Sequence, residues 1–250
     1  MSEALSDAGA ARRALDGLLE TDAPALRASL PPGFADAAER YVELLIEANA
    51  RLNLTRIVDP SDVARLHLLD ALSVLPVLDE LAPLRALDLG TGGGVPGVVL
   101  ALARPEISWT LVDSARKKAD AVRGFVDALG LHNVTVIAER AESLGRDVAH
   151  REQFDLVAAR ACAALPVLAE YALPLIRVGG ALVAWKGPIQ PDELRTGRAA
   201  LSALGGGALE THATGIPALG DHQFVTVCKV GPTPERFPRR AGEPTRRPLA

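Results

Sequence analysis

Ten residues, Asp88-Leu89-Gly90-Thr91-Gly92-Gly93-Gly94-Val95-Pro96-Gly97, constrain the fold of this chain more than any other stretch. They follow a strand-like apolar run, Arg85-Ala86-Leu87, and precede a helix-like one from Val98 to Ala103. Glycine tolerates positive φ and lets a ligand approach the backbone closely, so this density of glycine marks a sharp strand-to-helix turn built to hold a ligand. Pro96 suits a first helical turn. A purely structural turn gives no packing reason for so much glycine.

The chain has 250 residues, 48% of them hydrophobic, enough for one sizeable α/β core with a smaller appended piece. A net charge of −4 and a pI near 5.8 argue against a protein that coats nucleic acid by bulk charge. The charge is uneven, however. From Gly231 to Ala250, Arg236, Arg239, Arg240, Arg246 and Arg247 face only Glu235 and Glu243, a local excess of positive charge in a proline-rich tail. Cys162 and Cys228 are far apart and outside any C-x-x-C spacing, which excludes a disulfide framework, and five unclustered histidines give no metal site. No charged-then-apolar leader opens the sequence and no apolar run is long enough to span a bilayer, so a cytoplasmic protein with no membrane and no metal is expected.

Residues 1–82 read as a helical region: Tyr41, Leu44, Leu45 and Ala48 share a helical face, and Ser61-Asp62 is expected to cap a second series, Val63, Leu66, Leu69 and Leu72. From Arg85 onward, runs at Trp109–Val112, Val134–Ala138, Asp155–Ala159 and Ala181–Trp185 fit buried parallel strands separated by helical stretches. Gly130 and Gly179-Gly180 are expected as helix stops and turns. Right-handed crossovers then give a doubly wound sheet with its ligand crevice at the carboxyl ends of the strands. Leu209–Ala213 and Phe224–Val230 read as two further strands. The expected organisation is 1–82 helical, 83–230 the α/β domain and 231–250 a Pro/Arg-rich tail.

Gly92, Gly94 and Gly97 literally spell the dinucleotide fingerprint G-x-G-x-x-G. Asp88, two residues before Gly90, instead makes the segment resemble motif I of class I S-adenosylmethionine-dependent methyltransferases. A ligand without phosphate but with an ammonium and a carboxylate suits an acid at the strand end beside free N–H groups. Asp113 ends the next strand, where it can grip ribose hydroxyls or cap the following helix, with Ser114 the favoured cap. Ala141 and Glu142 follow the third strand, where this class contacts adenine; Glu142 also reads as an acid in a helix first turn. Arg160 ends the fourth strand and faces the crevice, as a fork for an anion or base edge or as a structural ion pair. No Asn/Asp-Pro-Pro-aromatic segment follows that strand, so an exocyclic amine is not the expected target. Cys162 lacks the proline context of a ring-attacking cysteine.

Separated segments then agree on one family. Asn53-Leu54-Thr55, His67-Leu68-Leu69-Asp70-Ala71-Leu72, Asp88–Gly97, Val112-Asp113-Ser114 with Lys117-Lys118, Ala159-Arg160-Ala161, Lys186-Gly187-Pro188 and the tail Arg236-Phe237-Pro238-Arg239-Arg240 resemble the bacterial RsmG (GidB) family of 16S rRNA guanine-N7 methyltransferases. The resemblance implies a class I, Rossmann-like fold with a seven-stranded, mostly parallel sheet and an N-terminal helical cap. It implies S-adenosyl-L-methionine as cofactor, held by Asp88, Gly90, Gly92, Val95, Asp113, Ser114, Ala115, Ala141, Glu142 and Arg160, with Arg160 positioning the reaction and no general base. It also implies 16S rRNA or the small ribosomal subunit as partner of a monomer, with Lys117, Lys118, Lys186, Arg236, Arg239 and Arg240 as RNA contacts. A dinucleotide-dependent oxidoreductase and a non-catalytic ribosome-assembly protein are the alternatives. Asp88 is expected to meet the ligand without stabilising the sheet. The tail is expected to contact RNA and to be dispensable for cofactor binding, the competing reading being a structural strap pinned by Phe237, Pro238 and Leu249.

Overall fold

The computed structural model describes residues 2–187 and 189–249, so Met1, Pro188 and Ala250 lie outside the described residues. Seven strands form one sheet: β1 Arg85–Leu89, β2 Ser108–Asp113, β3 Val134–Ala138, β4 Phe154–Arg160, β5 Ile176–Lys186, β6 Gly206–Ala213 and β7 Gln223–Lys229. Their order is β3-β2-β1-β4-β5-β7-β6, with β7 antiparallel to both neighbours and the other pairings parallel. Strand order reverses between β1 and β4, the place where a doubly wound sheet opens a ligand crevice.

The central strands β4 and β5 are largely apolar because both faces are covered there. On β4, Leu156 and Ala158 enter one core cluster while Val157 and Ala159 enter the other. On β5, Val183 and Trp185 alternate in the same way with Leu182 and Ala184. The first cluster joins the sheet to the N-terminal helices Ser2–Thr21 and Phe34–Leu52 through Leu15, Tyr41 and Leu45 beside Val98, Trp109 and Leu111. The helical region and the sheet therefore share one core. The second cluster packs the helices Leu165–Ala172 and Pro191–Ala203 on the other face, and it includes Phe237 of the tail.

Several local expectations are corrected. Asp59, not Ser61-Asp62, caps the second helical series, accepting from the N–H groups of Ser61 and Asp62. Val63–Leu69 is wound as a π-helix, so Leu66 is half-buried while His67 and Leu68 turn inward. Ala115, not Ser114, precedes the helix Arg116–Leu129, and no side chain caps it. Pro96 sits one residue before the helix Gly97–Ala103. Gly130 ends its helix with φ 64°, as expected. Gly179-Gly180 lie inside β5, where the β4–β5 register shifts and a side chain at Gly180 would meet the Asp155 carbonyl at 2.5 Å.

The tail packs closely on the domain. Arg239 forms a forked pair with Glu170, whose side chain is fully buried, at 2.5 Å from Nη2 and 2.9 Å from Nε. Phe237 is buried, Arg151 donates to the carbonyls of Thr233 and Phe237, and the Tyr171 and Thr245 hydroxyls are 2.8 Å apart. Residues 231–249 form a strap, so Arg239 is a structural ion-pair residue.

Candidate active site at the carboxyl edge of the sheet

The glycine loop is clamped from three sides. Gly90 and Thr91 donate their N–H groups to the Val112 carbonyl, Gly92 donates to Asp113 Oδ2 at 3.0 Å, and Tyr41 donates its hydroxyl to the Gly93 carbonyl at 2.8 Å. Gly90, Gly92 and Gly94 have φ of 78°, 58° and 99°, the left-handed region that only glycine enters freely. At Gly97 a methyl group would overlap Leu111 and approach Asp88 Oδ2 to 2.6 Å, so the helix can sit against β1 and β2 only with glycine there.

Asp88 does not meet a cavity. It is fully buried, and its Oδ2 accepts from Gly97 N–H at 2.9 Å, tying the strand end to the start of the helix. In this structure Asp88 therefore braces the loop from behind and is not part of a cavity wall. Among the described residues Asp88 Oδ1 and Thr91 Oγ1 are buried with no well-aligned hydrogen-bond partner, and burial pushes the Asp88 carboxyl up to about 6. A carboxyl raised in this way binds a proton more tightly folded than unfolded. Its ionisation therefore removes stability as pH rises from about 4 to about 6. Asn at this position keeps an acceptor for Gly97. Melting curves of Asp88→Asn should gain on the wild type across that window and hold a constant difference above it; parallel curves from pH 4 to 7 would contradict the assignment.

Three cavities run along the carboxyl edge. The first, about 110 Å³, is lined by Gly90, Asp113, Ser114, Ala141, Glu142, Cys162 and Tyr171. The second, about 240 Å³, shares Gly90 and adds Leu54, Thr55, His67, Gly92, Gly93, Val95, Arg160 and Ala161. The third, about 780 Å³, shares Arg160 and Ala161 and is walled by Ile57, Leu66, Asp70, Trp185, Lys186, Asp221 and His222. Arg160 stands at the junction of the second and third.

Of the expected cofactor residues, Gly90, Gly92, Val95, Asp113, Ser114, Ala141, Glu142 and Arg160 line the first two cavities, while Asp88 and Ala115 do not. Asp113 Oδ1 accepts from Ala115 N–H at 2.8 Å, so this acid both braces the turn and presents its remaining lone pairs to the cavity. Glu142 is buried, and its Oε1 accepts from Gly242 N–H at 2.7 Å, which makes the tail the outer support of the first cavity. Cys162 is exposed, and local desolvation with the Asp88 and Asp113 carboxylates adding to it pushes its thiol up to about 11, which favours the protonated form at neutral pH.

Arg160 is held by a network that sequence reasoning misses. Its Nη1 donates to the Leu66 carbonyl at 2.6 Å and lies 3.2 Å from Asp70 Oδ2, and its Nη2 lies 3.1 Å from His67 Nδ1. The other Asp70 oxygen is 3.0 Å from His222 Nδ1, and the Trp185 indole donates to the Asp70 carbonyl at 2.9 Å. His67 and Asp70 stand in a segment legible as a family pattern, whereas His222 lies 152 residues from Asp70 and carries no local signal.

The expected RNA contacts separate. Lys117, Arg236 and Arg240 are exposed or half-buried, as is Lys118. Arg236 stacks over the Phe237 ring at 5.0 Å. Lys186 donates to Glu193 at 2.6 Å and to the Ala163 carbonyl at 3.0 Å, at the rim of the large cavity. Among the described residues no cluster of His, Cys, Asp or Glu suits a metal ion, and no helix is long and apolar enough to cross a membrane.

The fold and the chain have clear relatives. An O-methyltransferase from Bacillus cereus, solved in complex with SAH, superposes with a TM-score of 0.53 at 19% identity, covering 76% of this chain and 90% of that one. The O-methyltransferase TomG from Streptomyces achromogenes, solved with SAM, gives 0.52 at 18% identity over 80% and 91%. At such identities the likeness speaks for the fold, a class I methyltransferase sheet. Sequence similarity is closer. A Deinococcus deserti protein called Ribosomal RNA small subunit methyltransferase G is 49% identical over 86% of this chain and 90% of its own length. A protein of the same name from Symbiobacterium thermophilum is 42% identical over 93% and 97%. The family model described as rRNA small subunit methyltransferase G matches residues 35–220, which takes in the clamping Tyr41, the glycine loop, Arg160 and Asp70. With sheet order, loop and sequence in agreement, the chain belongs to the rRNA small subunit methyltransferase G (GidB) family.

Proposed function

We propose that this chain transfers a methyl group from S-adenosylmethionine to N7 of one guanine in the 16S rRNA of the small ribosomal subunit. The observation that carries the reading is the line of joined cavities, with the glycine loop in one wall and Arg160 at the junction, in a chain whose relatives bear the name of a small-subunit rRNA methyltransferase. The residues fit the cofactor. Positive-φ glycines leave the loop side without Cβ atoms, Asp113 and Ser114 offer polar groups for ribose, and Ala141 and Glu142 flank the space for adenine. Arg160, Gly92 and Val95 border the space for the amino-acid end.

Bound there, the cofactor supplies a sulfonium-borne methyl group that is already electrophilic. Guanine N7 has an in-plane lone pair and no proton to lose, so no residue has to act as a base and alignment dominates catalysis. The large cavity takes the base: Trp185, Leu66 and Ile57 give it apolar walls, and the indole is fixed by its bond to the Asp70 carbonyl. Methylation makes the base cationic, and the Asp221 carboxylate and the Trp185 ring at the same cavity stabilise that charge. Lys117, Lys118, Arg236 and Arg240 meet RNA phosphates. Arg239, paired with Glu170, does not. The chain is taken to act as a monomer.

Ligand-dependent melting separates this reading from a dinucleotide-dependent oxidoreductase. S-adenosylhomocysteine at about a hundred times its Kd should raise the melting temperature by roughly 5–10 °C, since the linkage term is then about 2.7 kcal/mol. NADH should leave the melting temperature unchanged. Stabilisation by NADH alone would overturn the assignment.

A further inference from the structure

Thr55 closes one side of the second cavity, beside His67, Arg160 and the glycines of the loop. Its hydroxyl sits in a fully determined hydrogen-bond chain. A guanidinium can only donate, so the 3.1 Å approach of Arg160 Nη2 to His67 Nδ1 makes Nδ1 the acceptor. Burial lowers the His67 pKa to about 4, with the Arg160 charge adding to it, so the ring is neutral at pH 7 and its one proton is on Nε2. That N–H donates to Thr55 Oγ1 at 2.8 Å, and Ile57 N–H donates to the same oxygen at 3.0 Å. Two donors fill the two lone pairs of the hydroxyl. Thr55 N–H in turn donates to Asn49 Oδ1 at 2.9 Å, which fixes the residue from its backbone as well. The hydroxyl proton is left over from this series of bonds, and the cavity lies next to it.

We propose that Thr55 is a cofactor-binding residue whose hydroxyl donates to the carboxylate of the cofactor's amino-acid portion. Arg160 lines this cavity while its partner carboxylate, Asp70 at 3.2 Å, lines only the neighbouring one, so the charge facing the ligand here is the guanidinium's and a carboxylate oxygen is the acceptor that suits both it and the spare proton. Arg160 and His67 thereby act on Thr55 as well as on the cavity, because they set the tautomer that leaves its proton free. The proposal rests on the cofactor reading above.

Calorimetry with S-adenosylhomocysteine and with 5′-methylthioadenosine, which has the nucleoside and sulfur but no amino-acid portion, tests it. Thr55→Val, nearly isosteric but without the hydroxyl, should weaken S-adenosylhomocysteine binding by about tenfold or more, the usual loss for a hydrogen bond to a charged group. Thr55→Ser should restore affinity to within about twofold of wild type. Methylthioadenosine should bind all three proteins alike. Equal loss of both ligands in Thr55→Val, or undiminished S-adenosylhomocysteine affinity, would overturn the proposal and leave Thr55 a brace for the loop. Should Thr55→Val fail to fold, Thr55→Ala carries the same comparison. Wild-type protein that binds neither ligand would instead refute the cofactor reading, so the two failures are distinct.

Discussion

Truncation of the chain before Arg236 is expected to lower the melting temperature by roughly 10–28 °C and to weaken S-adenosylhomocysteine binding together with RNA binding. Glu170 is fully buried, and removal of Arg239 leaves its carboxylate without the cation that accompanies it, a loss of about 3–5 kcal/mol for a broken buried pair. Phe237 is also removed from the second core cluster, where its apolar burial is worth about 2 kcal/mol. At roughly 2–4 °C per kcal/mol for a chain of this size, the melting shift follows. The effect on the cofactor follows from Gly242, whose N–H holds Glu142, and from Thr245, which meets Tyr171; both partners line the first cavity. Separate point variants divide the two roles of the tail. Arg239→Ala should reproduce the ion-pair share of that loss, about 3–5 kcal/mol, with Phe237 still in place. Arg236→Ala combined with Arg240→Ala should leave melting intact and flatten the salt dependence of RNA binding, the logarithmic slope falling by about 0.7–0.9 for each phosphate that the variant no longer neutralises. A truncated protein with unchanged melting and cofactor affinity would contradict the strap.

Arg160→Ala should reduce methyl transfer by about 10²-fold or more while most of the protein remains folded at assay temperature, because a preorganised group at the junction of the cavities is removed. It should also cost stability, since Asp70, 5% exposed, retains only His222 as a side-chain partner among the described residues. The comparison variant is Asp70→Asn, which relaxes the same network but leaves the guanidinium in place. If Arg160 works only as an ion pair, the two variants lose activity equally and in proportion to the folded fraction. If Arg160 touches the reacting groups, Arg160→Ala loses far more activity than Asp70→Asn at matched folded fraction.

The parts of this molecule legible in its sequence are those governed by local physics. Each strand from β1 to β4 shows as a short apolar run, since both faces of the sheet are covered, and the glycine loop marks where the ligand crevice opens. Asp113, Glu142 and Arg160 are identifiable because strand ends in a doubly wound sheet converge on that crevice. Periodicity fails at Val63–Leu69, where a pattern of 3.6 residues assumes α winding and the π winding redirects Leu66 and His67. Long-range pairs are silent for a different reason. Nothing near Arg239 distinguishes an arginine that meets Glu170, 69 residues earlier, from one that meets RNA phosphate, and the pairing with Glu170 shows only in the folded chain. The bond between Asp88 and the Gly97 N–H is not legible in the sequence, because it depends on how the helix packs against β1.

The most direct measurement is to incubate the protein with labelled S-adenosylmethionine and small ribosomal subunits from a strain lacking this activity, then to map the label on the rRNA and identify the modified nucleoside. A single labelled 16S position carrying N7-methylguanosine, abolished by Arg160→Ala, is the result expected. Label on another atom or base, or binding to the subunit with no transfer, would contradict the account.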